Sequence, residues 1–317
     1  MTAPIALVLR ALGLGDFMTG LPAVKLIRSA LPEHRVVLAA GSQFGPLIEL
    51  TDYIDELLPS RELAPLGPVG GPIDVALDLH GKGPASRELL TALGPVRLIG
   101  FGDPAVGLAG PAWRADEHEV QRWVRLIASS WPSSAPSPQV LGCVARPDLD
   151  VEAGLTVLHP GAAYPSRRWP LERFAYVGRA LAHAGHELVV TGTAAEGNAA
   201  RWLAGQTGAR LRIDASLREV FALVASSRLV ISGDTGIAHV AFNYGIASVT
   251  LYGPVSPAAW GPPMDPRHQA LFHGDGRGDP HGRAVDRALL RISPQEVLDA
   301  IWGITQDHIR TEDRTRA

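Results

Sequence analysis

The chain carries a single cysteine, Cys143, in 317 residues. One thiol excludes a disulfide framework and any cysteine-built metal site, and it suits a reducing compartment. Long apolar runs are missing as well, since no stretch approaches the roughly 20 residues that a membrane-spanning helix needs. With 29 Lys and Arg against 32 Asp and Glu, the formal charge is −3, so the basic footprint of a nucleic-acid binder is absent. The 11 histidines are scattered, and neither an H-E-x-x-H segment nor an acidic pair marks a metal site. The first residues, Met1-Thr-Ala-Pro-Ile-Ala-Leu-Val-Leu-Arg10, place no basic residue ahead of a short apolar run. They read as a first strand rather than a secretion signal. The expectation is a cytoplasmic monomer that needs no metal and no cofactor.

What is present is a globular composition, 46% hydrophobic and 19% charged, in a chain long enough for two domains. Short β-rich runs alternate with helical patterns throughout. Strands are expected at 5–9, 36–39, 75–79 and 96–99, then at 155–159, 187–191, 211–213, 229–232 and 248–252. Helices fit 19–30, 43–50, 85–93 and 117–128, then 171–183, 194–205, 216–225 and 236–244. Ser293-Pro-Gln-Glu296 reads as a capping box opening a last helix. This alternation predicts an α/β chain with two doubly wound parallel sheets. Trp131-Pro-Ser-Ser-Ala-Pro-Ser-Pro138 is the clearest break in composition. The expected domains are residues 1–145 and 146–303, facing across a cleft, with a polar, disordered tail over 304–317. Ligands of such sheets bind at the carboxyl ends of strands, near topological switch points.

The most informative segment is Leu229-Val-Ile-Ser-Gly-Asp-Thr-Gly-Ile-Ala-His239. A strand gives way to a helix for which Asp234 is the expected N-cap, so that Thr235 and Gly236 fall in the first turn. Unpaired N–H groups and the positive end of the helix dipole welcome an anion there. Gly236 lets a phosphate reach the backbone, Thr235 adds a hydroxyl, and His239 follows one turn later. The plain alternative is an ordinary capped helix.

Other strand ends hold further candidates. Arg10-Ala-Leu-Gly-Leu-Gly15-Asp16 follows the first strand. Its glycines do not complete a dinucleotide fingerprint, because Met18 stands where the third is needed. Asp16 can act as a general base on a substrate hydroxyl, or simply cap the next helix. His159-Pro-Gly161-Ala-Ala-Tyr-Pro-Ser-Arg167-Arg168-Trp-Pro170 combines small residues with positive charge suited to phosphate. Glu196 can hold ribose hydroxyls or serve as a first-turn acid. Lys82 and Arg87, beside His80-Gly-Lys-Gly-Pro84, are candidates for an anionic acceptor.

In order, Gly15-Asp16 with Leu21-Pro-Ala23, Asp78-Leu-His80, His118-Glu-Val120, His159-Pro-Gly161, Arg168-Trp-Pro170, Asp234-Thr-Gly236 with His239, and Leu251-Tyr-Gly-Pro254 resemble the heptosyltransferases, glycosyltransferase family 9. The resemblance implies a GT-B fold and an inverting, metal-independent transferase. Its nucleotide-sugar donor, ADP-linked in the family, binds the second domain, and a glycan or glycolipid acceptor binds the first. It implies Asp16 as catalytic base and Arg167, Glu196, Asp234, Thr235, Gly236 and His239 as donor-binding residues. Gly15, Gly161 and Ser216 become further donor or cleft contacts, with the nucleotide base over 214–216. It also implies work on the cell envelope, at the inner face of the membrane. The chain departs from the family at Arg167, where Lys is usual, and at Ala162-Ala163, which replace hydroxyl residues. The competing readings are a GT-B-like nucleotide-sugar epimerase or hydrolase, and a non-catalytic nucleotide-sugar binder.

Overall fold

The computed structural model describes residues 3–132 and 140–315, with side chains as far as Ile304; most of the Pro/Ser-rich break lies outside the described residues. The chain divides into two compact units, Met1–Ala145 and Arg146–Ala317.

In the first unit, β1 (Ile5–Leu9), β2 (Arg35–Ala40), β3 (Glu56–Pro59), β4 (Ile73–Asp78) and β5 (Arg97–Ile99) form a parallel sheet in the order β3-β2-β1-β4-β5. β1 is buried along its whole length, as a central parallel strand covered on both faces must be. Helices α1 (Leu14–Ala30), α2 (Gly45–Ile48), α3 (Ala85–Thr91) and α4 (Glu119–Ser130) flank the strands, and α1 packs against α4. The chain runs from β1 outward to β2 and β3, then returns to lay β4 on β1's other side, opposing Leu9 to Asp78. The loops after β1 and β4 therefore diverge and open a crevice at the sheet's carboxyl edge.

Helix α1 begins earlier than the sequence suggests, at Leu14 rather than Thr19, with Gly13 as an extended N-cap (φ −73°, ψ 177°). Gly13 and Gly15 mimic a loop in sequence, yet Phe17, Met18 and Leu21 are all buried, and this apolar face draws the first turn onto the core. Strand β3 escapes sequence reading because it is a four-residue edge with one buried position.

In the second unit, β6 (Thr156–His159), β7 (Leu188–Gly192), β8 (Arg210–Ile213), β9 (Leu229–Gly233), β10 (Ser248–Tyr252) and β11 (His268–Phe272) are again all parallel, ordered β11-β10-β9-β6-β7-β8. The helices are α5 (Leu171–His183), α6 (Gly197–Thr207), α7 (Leu217–Ser226), α8 (Gly236–Tyr244), α9 (Pro257–Trp260), α10 (Arg287–Arg291) and α11 (Pro294–Thr315). Leu158, Trp169, Phe174, Val190, Ile231, Leu251 and Leu289 form the core. Trp169 anchors the segment after β6: its indole N–H donates to the Ile292 carbonyl at 3.2 Å and its ring meets Phe174 edge-on. The switch point lies between β6 and β9, where His159 opposes Ser232.

Glu296 N–H donates to Ser293 Oγ at 3.2 Å, so α11 starts where its cap residue predicts, while the Glu296 carboxylate meets His273 Nε2 at 2.7 Å. The helix continues to Thr315, into the stretch expected as a polar tail from 304. No Gly or Pro between 305 and 315 interrupts it.

Candidate functional site

At the β6/β9 switch point a close backbone approach joins two loops. A Cβ on Gly233 would stand 2.8 Å from the Arg167 carbonyl oxygen, so glycine is what lets the turn at Pro165–Arg167 rest on the end of β9. Ser166 fixes this turn from the other side. Its hydroxyl donates to the Pro280 carbonyl at 3.1 Å, its N–H to Gly282 at 3.1 Å, and its carbonyl accepts from Asp286 N–H at 3.2 Å. The Arg167 guanidinium lies 5.9 Å from the Tyr164 ring centroid, and its Nε is buried with no hydrogen-bond partner among the described residues. An orphaned buried N–H is costly, and one on a cation suits an anionic ligand.

Helix α8 spans the expected residues, Gly236–Tyr244, but its cap differs from the one expected. Its N-cap is Thr235, in extended conformation (φ −153°, ψ 168°), whose side chain makes no cap bond. Asp234, expected as the cap, is still held in the sheet by its N–H to the Leu251 carbonyl at 3.1 Å. Gly236 is therefore the first helical residue, and its N–H and that of Ile237 belong to the set a helix leaves without internal partners. Asp234 is 6% exposed; its charge, after burial itself, keeps the Tyr252 phenol well above its ordinary pKa. His239 is 3% exposed and meets the Phe242 and Trp260 rings edge-on.

The ends of β6 and β7 form a second cluster. Gly161 has no side chain to collide with the Glu196 carboxylate lying against it. Glu196 Oε2 accepts from Thr193 N–H and from its hydroxyl, each at 2.9 Å, within a capping box. His159 shares a hydrogen bond of 2.9 Å with Thr191; burial pushes its imidazole pKa down, with Glu196 opposing. Beyond β8, Asp214 adopts a left-handed conformation (φ 58°) that non-glycine residues seldom take. Ser216 caps α7 in a full capping box with Glu219, so its hydroxyl is already engaged in starting a helix.

In the first unit Asp16 sits in the first turn of α1, half-buried. Burial pushes its carboxyl pKa up; Arg10 lowers it, Glu119 raises it, and backbone N–H groups of Asp16 and Gly13 lower it. The carboxyl reaching back to the Gly13 N–H is a helix-cap contact that still leaves Asp16 half-buried rather than sealed off. The Gly15 carbonyl accepts from the Thr19 hydroxyl at 3.0 Å. Arg87, expected to meet an acceptor, is instead only 6% exposed, paired with Asp103 and donating to the Lys82 carbonyl at 2.9 Å. These contacts tie the loop before α3 to the segment at Asp103. Lys82 remains exposed. Burial pushes the Cys143 thiol up to about 11, a protonated core residue rather than a nucleophile.

Sequence reading missed a cavity of about 640 Å³ lined by Ala11, Leu12, Gly13, Ser42, Gln43, Arg61 and Glu62, among others. It lies past the ends of β1, β2 and β3 and reaches Gly13, the residue that precedes Asp16's helix. Only the strand-end positions of Ser42 and Ser60 could have flagged it, and Glu62's left-handed backbone (φ 53°) has no sequence signature. Among the described residues no group of three His, Cys, Asp or Glu is placed to hold a metal ion, and no helix is long and apolar enough to cross a membrane.

Residues 111–279 match the family model described as glycosyltransferase family 9 (heptosyltransferase). Over 172 residues the chain is 26% identical to lipopolysaccharide heptosyltransferase 2 of Salmonella typhimurium, covering 50% of this chain and 49% of that one. Over 194 residues it is 26% identical to lipopolysaccharide heptosyltransferase 1 of Escherichia coli, covering 59% and 57%. The chain thus spans about half the length of the curated relatives it matches. Among solved structures, the ADP-heptose lipopolysaccharide heptosyltransferase II of E. coli superposes with a TM-score of 0.75 at 20% identity, over 96% of this chain and 99% of that one. E. coli heptosyltransferase WaaC with ADP gives 0.75 at 20% identity, over 93% and 98%. This likeness is one of fold: both are GT-B structures, as are the two parallel sheets seen here.

Proposed function

Since the chain belongs to glycosyltransferase family 9, the heptosyltransferases, we propose that it moves a heptose or related sugar from a nucleoside diphosphate, with ADP the expected carrier, to a glycan or glycolipid acceptor of the cell envelope. The observation that carries this reading is the β6/β9 switch point, where Gly233 brings the Arg167 turn against the strand that leads into α8. There Arg167, Thr235 and the first N–H groups of α8 take the diphosphate. Glu196 takes the ribose, the 214–216 stretch the base, and Asp234 and His239 the sugar side. Asp16 removes the proton from the acceptor hydroxyl, whose oxygen forms a bond to the anomeric carbon as the bond to the diphosphate breaks. Attack opposite the leaving group inverts the anomeric centre. The electron pair departs on the diphosphate, where a guanidinium and fixed dipoles stabilise it. The cavity beside Gly13 suits the acceptor, and the enzyme works as a monomer in the cytoplasm or at the inner face of the membrane.

Calorimetry with a panel of nucleoside diphosphates, followed by incubation with matching nucleotide sugars with and without acceptor extract, tests this reading. ADP binding and acceptor-dependent transfer are expected. Consumption of donor without acceptor would favour an epimerase or hydrolase, and binding with no consumption a carrier.

Excess EDTA is expected to leave the transfer rate unchanged, because the leaving diphosphate is stabilised by Arg167 and the helix start. Loss of activity restored by Mg²⁺ or Mn²⁺ would overturn that assignment.

Glu196→Ala is expected to remove any preference for ADP over its 2′-deoxy analogue. It should also cost about 1 kcal/mol of stability through the lost capping box with Thr193. Titration calorimetry and urea unfolding separate the two effects; an unchanged preference would take Glu196 out of the ribose site.

A further inference from the structure

We propose that Arg10 and Glu119 form a positioning pair for Asp16, fixing its carboxyl at the mouth of α1 and setting how readily it takes a proton. The proposal rests on Asp16 being the base.

Arg10 is 2% exposed, and its guanidinium is held on every side. Nε donates to the Asp16 carbonyl, Nη1 to the Leu79 carbonyl at 2.5 Å, and Nη2 to Thr19 Oγ1 and Glu119 Oε1, each at 3.0 Å. The Trp123 ring covers it at 4.8 Å. Gly20 makes room, since a Cβ there would overlap Arg10's own Cδ and Nε. The same Nη2 stands 3.6 Å from Asp16 Oδ1. One rigid cation therefore grips the backbone of the Asp16 turn and faces its carboxylate.

Glu119 makes this arrangement compatible with base chemistry. A carboxylate bound directly to a buried guanidinium is a poor proton acceptor, because the ion pair favours its charged form. Here Glu119, 5% exposed, takes the close contact at 3.0 Å and leaves Asp16 the looser one at 3.6 Å. Glu119 is itself fixed by Trp123 Nε1 at 2.7 Å and by Arg122, which lies 4.4 Å from the Trp113 ring centroid. The charged groups acting on Asp16 are thus Arg10 from the end of β1 and Glu119 from α4, with the N–H groups of Gly13 and Asp16 at the helix start. Arg122 lies behind Glu119. His80, at the end of β4, has its imidazole pKa lowered by burial and then by Arg10, with Glu62 opposing. Burial outweighs Arg10, leaving a carboxyl more basic than usual.

The pH dependence of kcat/KM for transfer reads this directly, because the position of its acid limb reports only folded, active molecules. Arg10→Met removes the group that lowers the carboxyl's proton affinity, so the acid limb should move up by about one pH unit. Arg10→Lys keeps the charge and should return the limb close to wild type, though with a lower plateau. Glu119→Gln should move the limb down. The double variant Arg10→Met with Glu119→Gln removes one charge of each sign, guards against misfolding from an unpaired buried ion, and should lie between the singles with a reduced plateau. Nucleotide affinity should be unchanged throughout. Acid limbs fixed at the wild-type position in the singles, or a double variant with wild-type profile and rate, would overturn the proposal. Wild-type turnover in an Asp16→Asn variant would instead remove the underlying assignment of the base.

Discussion

Asp16→Asn should slow transfer by roughly 10² to 10⁴, the usual loss when a general base is removed, while ADP binds as in wild type. The amide has nearly the carboxylate's shape and keeps its place in the first turn of α1, but it cannot take the acceptor's proton. Its partners Arg10, Glu119 and Gly13 all belong to the first unit, whereas the residues assigned to the donor belong to the second. Rate and nucleotide affinity should therefore separate cleanly. The wild-type carboxyl pKa is raised, so activity should fall as pH drops through that raised value, and the residual activity of the variant should lack this limb. Following ADP release across pH, with calorimetry alongside, gives both readings. Wild-type turnover in the variant would remove Asp16 from the chemistry.

Arg167→Ala should weaken ADP binding about ten- to hundredfold, equivalent to roughly 1.5–3 kcal/mol for a lost charge-assisted contact. The effect on folding should be small, because the buried Nε has no protein partner to lose among the described residues and the turn is fixed by Ser166 and Gly233 rather than by the guanidinium. Gly236→Val should weaken ADP as well, by placing a branched side chain at the first helical residue of α8, where phosphate oxygens must approach the backbone. Calorimetry on both variants decides the matter. If both bind ADP as tightly as wild type, the Asp234-Thr-Gly236 segment is only a capped helix.

Much of this architecture is legible in the chain. β1, α5, α8 and β10 lie where apolar runs and helical spacing put them, because central parallel strands must be continuously apolar and flanking helices amphipathic. The edge strands β3 and β11 were not legible. Glu-Leu-Leu-Pro and His-Gln-Ala-Leu-Phe are short and only partly buried, so no pattern distinguishes them from loops. The start of α1 was hidden by two glycines that look like a turn, and the α8 cap by an aspartate that prefers the sheet's last hydrogen bond. Site candidates at strand ends follow from the doubly wound pattern. The Arg167 orphan, the Arg87–Asp103 tie and the grip of Arg10 on Asp16 are tertiary facts. Arg10 meets Glu119 across 109 residues of sequence, and no local rule links them.

That separation also bears on how the protein is made. β1 precedes the other strands of its sheet along the chain and is the middle strand of that sheet. Arg10 at its end has no carboxylate partner from α4 until Glu119 has been synthesised, roughly 5–20 s later at ordinary elongation rates. Through that interval the buried pair of Arg10 with Glu119 cannot form, and it is completed only when α4 packs on α1. The neighbourhood of Asp16 is therefore translated ahead of the α4 carboxylate that completes it, and its final arrangement waits on a helix that joins it across 109 residues of sequence.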